Sequence, residues 1–173
     1  MPSPNNGYAP MQFLAIVLTA LALVPSGAHL FELPNKIGLP QEQYFTVQAI
    51  YRGWALFGGV IIAAIVVNRA VAFMLWRRGR RFLLSLAAAV ILALTLVVFF
   101  VWTYPANEAT DKWTAVASDW EKLRAQWELS HAATAFLTFI GFCCAILSVV
   151  MSGNGSGATT ATVRTPLPRS RAS

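Results

Sequence analysis

Residues 57–100 read FGGVIIAAIVVNRAVAFMLWRRGRRFLLSLAAAVILALTLVVFF, which is two apolar runs joined by a short arginine-rich turn. An apolar run of about 20 residues is long enough to cross the hydrocarbon core of a bilayer as a helix. Only residues 77–81, RRGRR, separate the two runs. Because this connection is so short, the stretch predicts an antiparallel hairpin of two membrane-spanning helices.

The composition of the whole chain indicates the same class. Its 173 residues are 57% hydrophobic and only 12% charged, whereas soluble domains carry about 25% charged residues. With apolar runs at about 11–30 and 131–151, the chain has four predicted spans, the hairpin supplying those at about 52–76 and 82–103. The predicted fold is therefore all-α, an integral membrane up-and-down four-helix bundle in contact with the lipid bilayer.

The charges are distributed unequally between the connections. Eight basic residues have no acidic residue among them: Arg69, Arg77, Arg78, Arg80, Arg81, Arg164, Arg169 and Arg171. All seven acidic residues fall in the other two connections. By the positive-inside rule the 77–81 turn and both termini are cytoplasmic, in a bacterial-type inner (plasma) membrane. This topology accounts for the net charge of +6, so no nucleic-acid partner is predicted.

The two ends and the first connection carry weaker signals. Residues 1–10 and 152–173 are polar and rich in turn-forming residues, which predicts a disordered lead and a disordered cytoplasmic tail. The first span has an alternative, a signal peptide cleaved at the small residues 26–28, but no positive charge precedes it, which favours a retained span. Pro34 and Pro40 predict breaks in the helix within the first outer connection, residues 31–50.

The second outer connection, residues 104–130, contains an aromatic repeat. Residues at spacings of 3, 4, 3 and 4 are apolar: Trp113, Val116, Trp120, Leu123 and Trp127. This period predicts an outer amphipathic helix with a tryptophan-rich stripe, which lies on the bilayer or covers the mouth of the bundle.

Candidate chemistry is restricted to the outer mouth, because the sequence holds none of the common nucleotide-binding, zinc-protease or serine-hydrolase motifs. The only two histidines end two different spans and form His29-x-x-Glu32 and Glu128-x-x-His131. At this spacing the imidazole and the carboxylate share a helix face. Such a pair transfers protons or binds a metal, and both histidines are candidate bases.

Two cofactor hypotheses remain incomplete. Two His/Glu pairs make half of a di-iron carboxylate site, but the second and third spans supply no glutamate, and Glu42 is the only nearby substitute. Paired histidines also ligate haem b, although such ligands usually lie deeper in the hydrocarbon than these span ends. Ordinary interfacial histidines are the simplest alternative. The sequence therefore assigns no metal ligand and leaves the cofactor unknown.

A ligand pocket is the more specific hypothesis. Trp120, Arg124, Trp127 and His131 fall on about one helix face. Turned inward, this face suits a planar, weakly acidic aromatic molecule, with stacking on tryptophan, a guanidinium for a phenolate and an imidazole base. Tyr51 and Trp54 are candidates for the opposite wall. The alternative is an interfacial tryptophan belt in which Arg124 pairs with a neighbouring glutamate.

At these residues the chain resembles the family of small four-span membrane proteins of unknown function that includes the anthrone-oxygenase-like proteins. The resemblance covers about residues 11–151 and rests on the order of the four spans and on two patterns: Trp120-x3-Arg124-x2-Trp127-x3-His131 and Pro105-Ala-Asn107. It implies oxidation of an anthrone-type aromatic to a quinone without a dedicated cofactor. It also implies that His131 is the base and His29 a second one.

Two other functions are open. A non-enzymatic accessory or interaction protein is suggested by the small-residue stripe Ala55-x3-Gly59-x3-Ala63, which lets another helix or a second copy of the chain approach closely. A transporter is disfavoured because, apart from Asn68 and Arg69, polar residues do not mark a path across the spans.

Overall fold

The computed structural model describes residues 7–151 and is helical, with no strand in that range. The helices are α1 (Ala9–Lys36), α2 (Gln41–Gln48), α3 (Phe57–Met74), α4 (Arg80–Val98), α5 (Tyr104–Ala109) and α6 (Trp120–Val150). The predicted all-α class is confirmed. The predicted tail and the first six residues of the predicted lead lie outside the described residues, and the last two residues of that lead are already helical.

Four stretches are each long and apolar enough to cross a membrane, as the sequence predicts: Ala9–Lys36, Trp54–Met74, Arg80–Ala109 and Trp120–Val150. The third stretch is continuous because a π-helical segment, Phe99–Thr103, links α4 to α5. Pro105 lies in the first turn of α5, two residues after the end of the π-helical segment. The Pro105-Ala-Asn107 pattern is helical, and the chain turns only after residue 109.

Helix α1 is longer than predicted. It passes through Pro34 and ends at Lys36, so the prediction that Pro34 breaks the helix is wrong. A proline inside a helix removes one hydrogen bond and crowds the preceding turn. The tertiary contacts of Lys36, which is 3% exposed, offset that cost. As a result His29, Glu32 and Lys36, at spacings of three and four, lie on one face of a single helix.

The outer amphipathic helix is not a separate element. Residues 110–119 form turns, and Asp111, Lys112 and Trp113 have φ angles of 45°, 56° and 66°, outside the helical region. Helix α6 begins at Trp120 and continues without interruption to Val150. Trp113 therefore meets Trp127 through folding of the loop, at a ring-centroid distance of 6.0 Å, and not through a shared helical stripe.

The long helices pack in pairs, α1 with α3 and α6, and α4 with α3 and α6. Small residues allow close approach: a Cβ on Gly141 of α6 would lie 3.3 Å from the Leu92 side chain of α4. Between α1 and α3, Asn68 Nδ2 donates a hydrogen bond to Thr19 Oγ1 at 3.0 Å. Interhelical contacts of small and polar side chains are typical of helices that associate in a bilayer.

The buried side of α1 is made of small and polar residues at intervals of three, four or seven. They are Gln12, Ala15, Thr19, Ala22, Ser26, His29 and Lys36. Large apolar side chains point the other way, with Phe13 and Phe31 strongly exposed. This inside-polar, outside-apolar arrangement is the reverse of a soluble helix and fits a lipid environment.

The small-residue stripe Ala55-x3-Gly59-x3-Ala63 starts just before α3 and faces outward at its first two positions. Ala55 and Gly59 are exposed, while α3 buries Ala64, Asn68 and Val71 among its inward residues. A Cβ on Gly59 would meet no atom within 4 Å. Ala55 and Gly59 therefore take no part in packing among the helices of this chain, whereas Ala63 is half-buried.

Candidate functional site

The two histidines lie against one another where α1 packs on α6. Their ring centroids are 4.2 Å apart, with the rings close to edge-on. His29 is 5% exposed and His131 is partly exposed. The register of the two helices thus brings together the two imidazoles that the sequence places at the ends of separate spans.

Aromatic rings enclose His29. Trp127 meets it edge-on at a centroid distance of 5.0 Å. Tyr51 and Trp54 lie at 4.5 Å and 5.3 Å from it. Both come from the segment between α2 and α3, which turns at Gly53 with a φ of 90°, a conformation that favours glycine. The segment therefore folds back over the histidine and supplies the opposite wall.

Lys36 is a member of this centre that the sequence reasoning missed. Its Nζ donates a hydrogen bond to the Tyr51 hydroxyl at 2.7 Å. It also lies 3.2 Å from Glu128 Oε1 and 3.5 Å from Glu32 Oε2. The ammonium stands over the rings of Tyr51 and Trp127, 4.3 Å and 4.8 Å from their centroids, a favourable cation–π arrangement. The available signal was the spacing of Lys36 from His29, which the assumed break at Pro34 concealed.

Glu128 is buried and only half satisfied. Its Oε1 accepts a hydrogen bond from the Tyr44 hydroxyl at 2.9 Å, and Gln48 Nε2 donates to the same hydroxyl. Its Oε2 has no hydrogen-bond partner within residues 7–151. Burial, followed by the neighbouring Glu128 carboxylate, raises the pKa of Tyr44 well above its usual value. Tyr44 therefore remains a neutral phenol that donates its proton to the carboxylate.

Tyr51 is hydrogen-bonded to Glu32 as Tyr44 is to Glu128. Its hydroxyl donates to Glu32 Oε2 and accepts from Lys36 Nζ. Burial, followed by the hydrogen bond to Glu32, raises the pKa of Tyr51 above its usual range. A chain of exchangeable protons thus runs from Lys36 through Tyr51 to Glu32 next to the histidine pair.

The protonation of His131 follows from its neighbour. Nδ1 lies 2.9 Å from the carbonyl oxygen of Trp127. A carbonyl only accepts, so Nδ1 carries the hydrogen, and Nε2 of the neutral ring presents a lone pair. His29 Nδ1 lies 4.0 Å from Glu32 Oε2 and has no hydrogen-bond partner in the described part of the chain. The pair offers one oriented base, His131, and one buried nitrogen, His29 Nδ1, whose hydrogen bonding is unsatisfied in the described residues.

Asn107 positions the tryptophan wall. Its Oδ1 accepts hydrogen bonds from Trp127 Nε1 at 2.9 Å and from Trp113 Nε1 at 3.2 Å. Both indoles are buried, and a buried indole N–H needs such a partner. Asn107 of α5 thereby fixes the Trp127 ring, against which both histidines pack.

Trp120 and Arg124 belong to a neighbouring cluster. Arg124 Nη1 donates to the carbonyl oxygen of Leu39 at 2.7 Å, and its guanidinium lies 4.7 Å from the Trp120 ring centroid. Both residues surround Tyr44 of α2. Of the predicted stripe, Trp127 and His131 therefore face His29, while Trp120 and Arg124 hold α2 in place.

The geometry also bears on the cofactor hypotheses. Among residues 7–151, the structure contains no group of three or more His, Cys, Asp or Glu side chains arranged for a metal ion. Two histidines that ligate one haem stand on opposite faces of the porphyrin. The direct contact of His29 with His131 leaves no gap for that plane. The described residues thus form neither a metal-ligand cluster nor a pair of histidines spaced for one haem.

No family model, curated protein or solved structure matches the chain.

Proposed function

We propose that the chain is a multi-pass protein of a bacterial-type inner (plasma) membrane, an up-and-down four-helix bundle with both termini cytoplasmic. Two contacts between the helical stretch Arg80–Ala109 and α6 support the antiparallel arrangement. Thr103 and Ser130 share a hydrogen bond of 2.7 Å at one end, and Arg81 Nε donates to the Ser148 carbonyl at 3.1 Å at the other. The acidic connections lie at the first end and the RRGRR turn at the second, as the positive-inside rule requires.

Retention of the first helix is part of this proposal. The Asn68–Thr19 hydrogen bond and the polar face of α1 indicate that α1 belongs to the folded protein. The intact mass of the membrane-extracted chain tests it, because cleavage after residue 28 would remove Thr19.

We infer that the centre around His29 and His131 binds a small, weakly acidic aromatic molecule at the outer end of the spans. The observation that supports this function is the contact of two imidazoles within walls of tyrosine and tryptophan. Tyr51 and Trp54 contact His29 directly, so a planar ligand stacks on these aromatic walls only after the segment that carries them moves aside. The Nε2 lone pair of His131 then accepts its proton. Lys36 lies beside the same walls, where its positive charge stabilises the anion that forms.

The resemblance to the anthrone-oxygenase-like proteins suggests the reaction. His131 removes a proton from the acidic CH₂ of an anthrone-type substrate, and the carbanion adds to dioxygen. Reprotonation gives a hydroperoxide, and loss of water leaves the quinone carbonyl. The substrate supplies the electrons and dioxygen is the oxidant, so the chain contributes binding and proton transfer.

The test is oxygen uptake and quinone absorbance with an anthrone and the purified full chain in lipid nanodiscs. H131Q is expected to lower kcat by about a hundredfold or more, the usual contribution of a general base, and H29Q to lower it as well. E42Q, which changes an exposed carboxylate of the same end, is the control and should keep full activity. Absence of turnover in the folded wild-type chain would contradict the reaction.

A second function, a non-enzymatic accessory or interaction protein, is supported by one observation. The stripe of Ala55 and Gly59 faces away from the other helices, as expected if a second copy or another membrane protein packs there. Replacing Gly59 by Leu should then reduce crosslinked oligomers in native membranes, whereas Gly27→Leu should not. Equal crosslinking in both variants would argue against this interface.

A further inference from the structure

The turn between α3 and α4 gathers four arginines at one end of the molecule. Helix α3 ends at Met74 and α4 begins at Arg80. The chain reverses direction at Gly79, whose φ of 52° and ψ of −117° are rarely adopted by residues other than glycine. Leu75 is fully buried beneath the turn and anchors it. The guanidinium groups of RRGRR are thus presented together on a tight, well-defined connection.

Their positive charge has no counterpart in the described structure. None of the ion pairs among residues 7–151 includes any of the four arginines. The first turn of α4 holds Arg80 and Arg81 and no acidic residue, and no side chain caps it. A helix N-terminus favours negative charge because its free amides point outward. The four arginines and the N-terminus of α4 therefore lie together, and neither has an anionic partner among the described residues.

The arginines differ in how far they are already engaged. Arg81 is half-buried and fixed, since its Nε donates to the Ser148 carbonyl of α6 at 3.1 Å. Arg77 and Arg78 are exposed, and their guanidinium carbons lie 5.0 Å and 6.0 Å from the ring centroids of Trp76 and Tyr8. Neither guanidinium donates a hydrogen bond to another described residue, so their N–H groups are free. The turn can therefore donate several charge-assisted hydrogen bonds to a single multivalent oxyanion.

Apolar surface adjoins these donors. Trp76 is 64% exposed and Phe73 is 79% exposed, immediately beside the arginines at the end of a predicted span. A ligand that satisfies both features has a phosphate next to hydrocarbon chains, at the depth where tryptophan and arginine mark the membrane interface. We propose that the 77–81 turn is a binding site for the headgroup of an anionic phospholipid. This inference rests on the proposed membrane insertion and is independent of the outer-end chemistry.

Native mass spectrometry of the detergent-purified full chain tests the site, with phosphatidylglycerol and phosphatidylcholine of the same acyl chains as probes. Phosphatidylglycerol should be retained at least about tenfold more strongly, and R77Q/R78Q/R80Q should abolish the difference. Arg81 is left unchanged because it holds α6. The control R52Q/K112Q/K122Q removes the same charge from exposed residues of the other end and should retain the preference.

Three results would overturn the proposal. Equal retention of the two lipids by the wild-type chain would exclude a headgroup site, and equal loss in both triple variants would reduce it to net charge. Displacement of the lipid by millimolar inorganic phosphate would identify a free oxyanion as the ligand. A chain that is recovered from cells without membranes would instead refute the proposed insertion, so the two failures are distinguishable.

Discussion

Lys36 Nζ lies 3.2 Å from Glu128 Oε1, and the two side chains are 3% and 0% exposed. This buried ion pair joins α1 to α6 directly beside the histidine pair. Tyr44 donates a hydrogen bond to its carboxylate, and Tyr51 accepts one from its ammonium. The centre thus combines a structural tie between helices with the charges that surround a candidate base.

Replacing Lys36 by Met should destabilise the protein strongly. The change leaves the Glu128 carboxylate buried without its cation, which typically costs about 3–5 kcal/mol. Thermal unfolding in detergent measures the effect, and Lys122→Met, at an exposed position, is the control. K36M/E128Q should recover part of the loss because no uncompensated charge remains. Equal melting temperatures for K36M and K122M would show that the pair is not formed.

The rings of Tyr51, Trp54 and Trp127 cover His29, which predicts a low reactivity of its imidazole. The sequence contains two histidines, so diethyl pyrocarbonate modification can be assigned to each site by mass spectrometry. His29 should react far more slowly than His131. Tyr51→Ala or Trp54→Ala should raise its rate by about tenfold, because each removes a ring that must move for access.

Trp76→Ala is the matched control for Tyr51→Ala and Trp54→Ala. Trp76 is exposed and lies beside the 77–81 turn, so its removal should leave the modification rate of His29 unchanged. Rapid modification of His29 in the wild-type chain would contradict the enclosure.

The tyrosines predict a loss of stability in alkali. The folded-state pKa values of Tyr44 and Tyr51 are raised above the ordinary value of 10.0. Their contribution is therefore fully present below about pH 10 and declines above it, where the unfolded chain loses protons that the folded chain retains. Melting temperatures between pH 9 and 11 should fall less steeply in Y44F/Y51F than in the wild type. Parallel curves would contradict the prediction.

Close packing at Gly141 predicts sensitivity to size. A Cβ there would lie 3.3 Å from Leu92, so Gly141→Val should destabilise the protein by about 1–3 kcal/mol through overpacking. Gly27→Val, where a Cβ would meet no atom within 4 Å, controls for the β-branched side chain itself. Adding Leu92→Ala to Gly141→Val should restore part of the melting temperature. If the double variant melted at the same temperature as Gly141→Val alone, the strain would not lie at the contact with Leu92.

The helical class and the four long apolar stretches were predictable because hydropathy responds directly to a run of apolar residues. The meeting of His29 and His131 was suggested by their positions at span ends, but their contact depends on the rotation of α1 against α6, which hydropathy does not encode. Lys36 could not be placed, since its contacts outweigh the local penalty of Pro34. These are tertiary effects on local preferences.

Two other features depended on long-range contacts. The spacing of Trp113 from Trp127 imitates a helical repeat, although a loop with positive φ angles brings the two rings together. The polar face of α1 was concealed because seven-residue steps such as Gln12, Thr19 and Ser26 are diluted by lipid-facing apolar residues. The buried side of α1 is marked by small and polar residues, whereas the usual search looks for an apolar stripe.

The polar face of α1 has a consequence for how the protein is made. Alone in a bilayer, the first helix would present Thr19, Ser26, His29 and Lys36 to lipid along one side. Thr19 meets its partner Asn68 on α3, but His29 and Lys36 meet His131 and Glu128 only on α6, which follows α3 and α4 in the chain. The C-terminal part of α1 must therefore wait for α6, and the two imidazoles meet only after α6 has been synthesised. A chain interrupted before α6 is inserted would hold neither the ion pair nor the paired histidines.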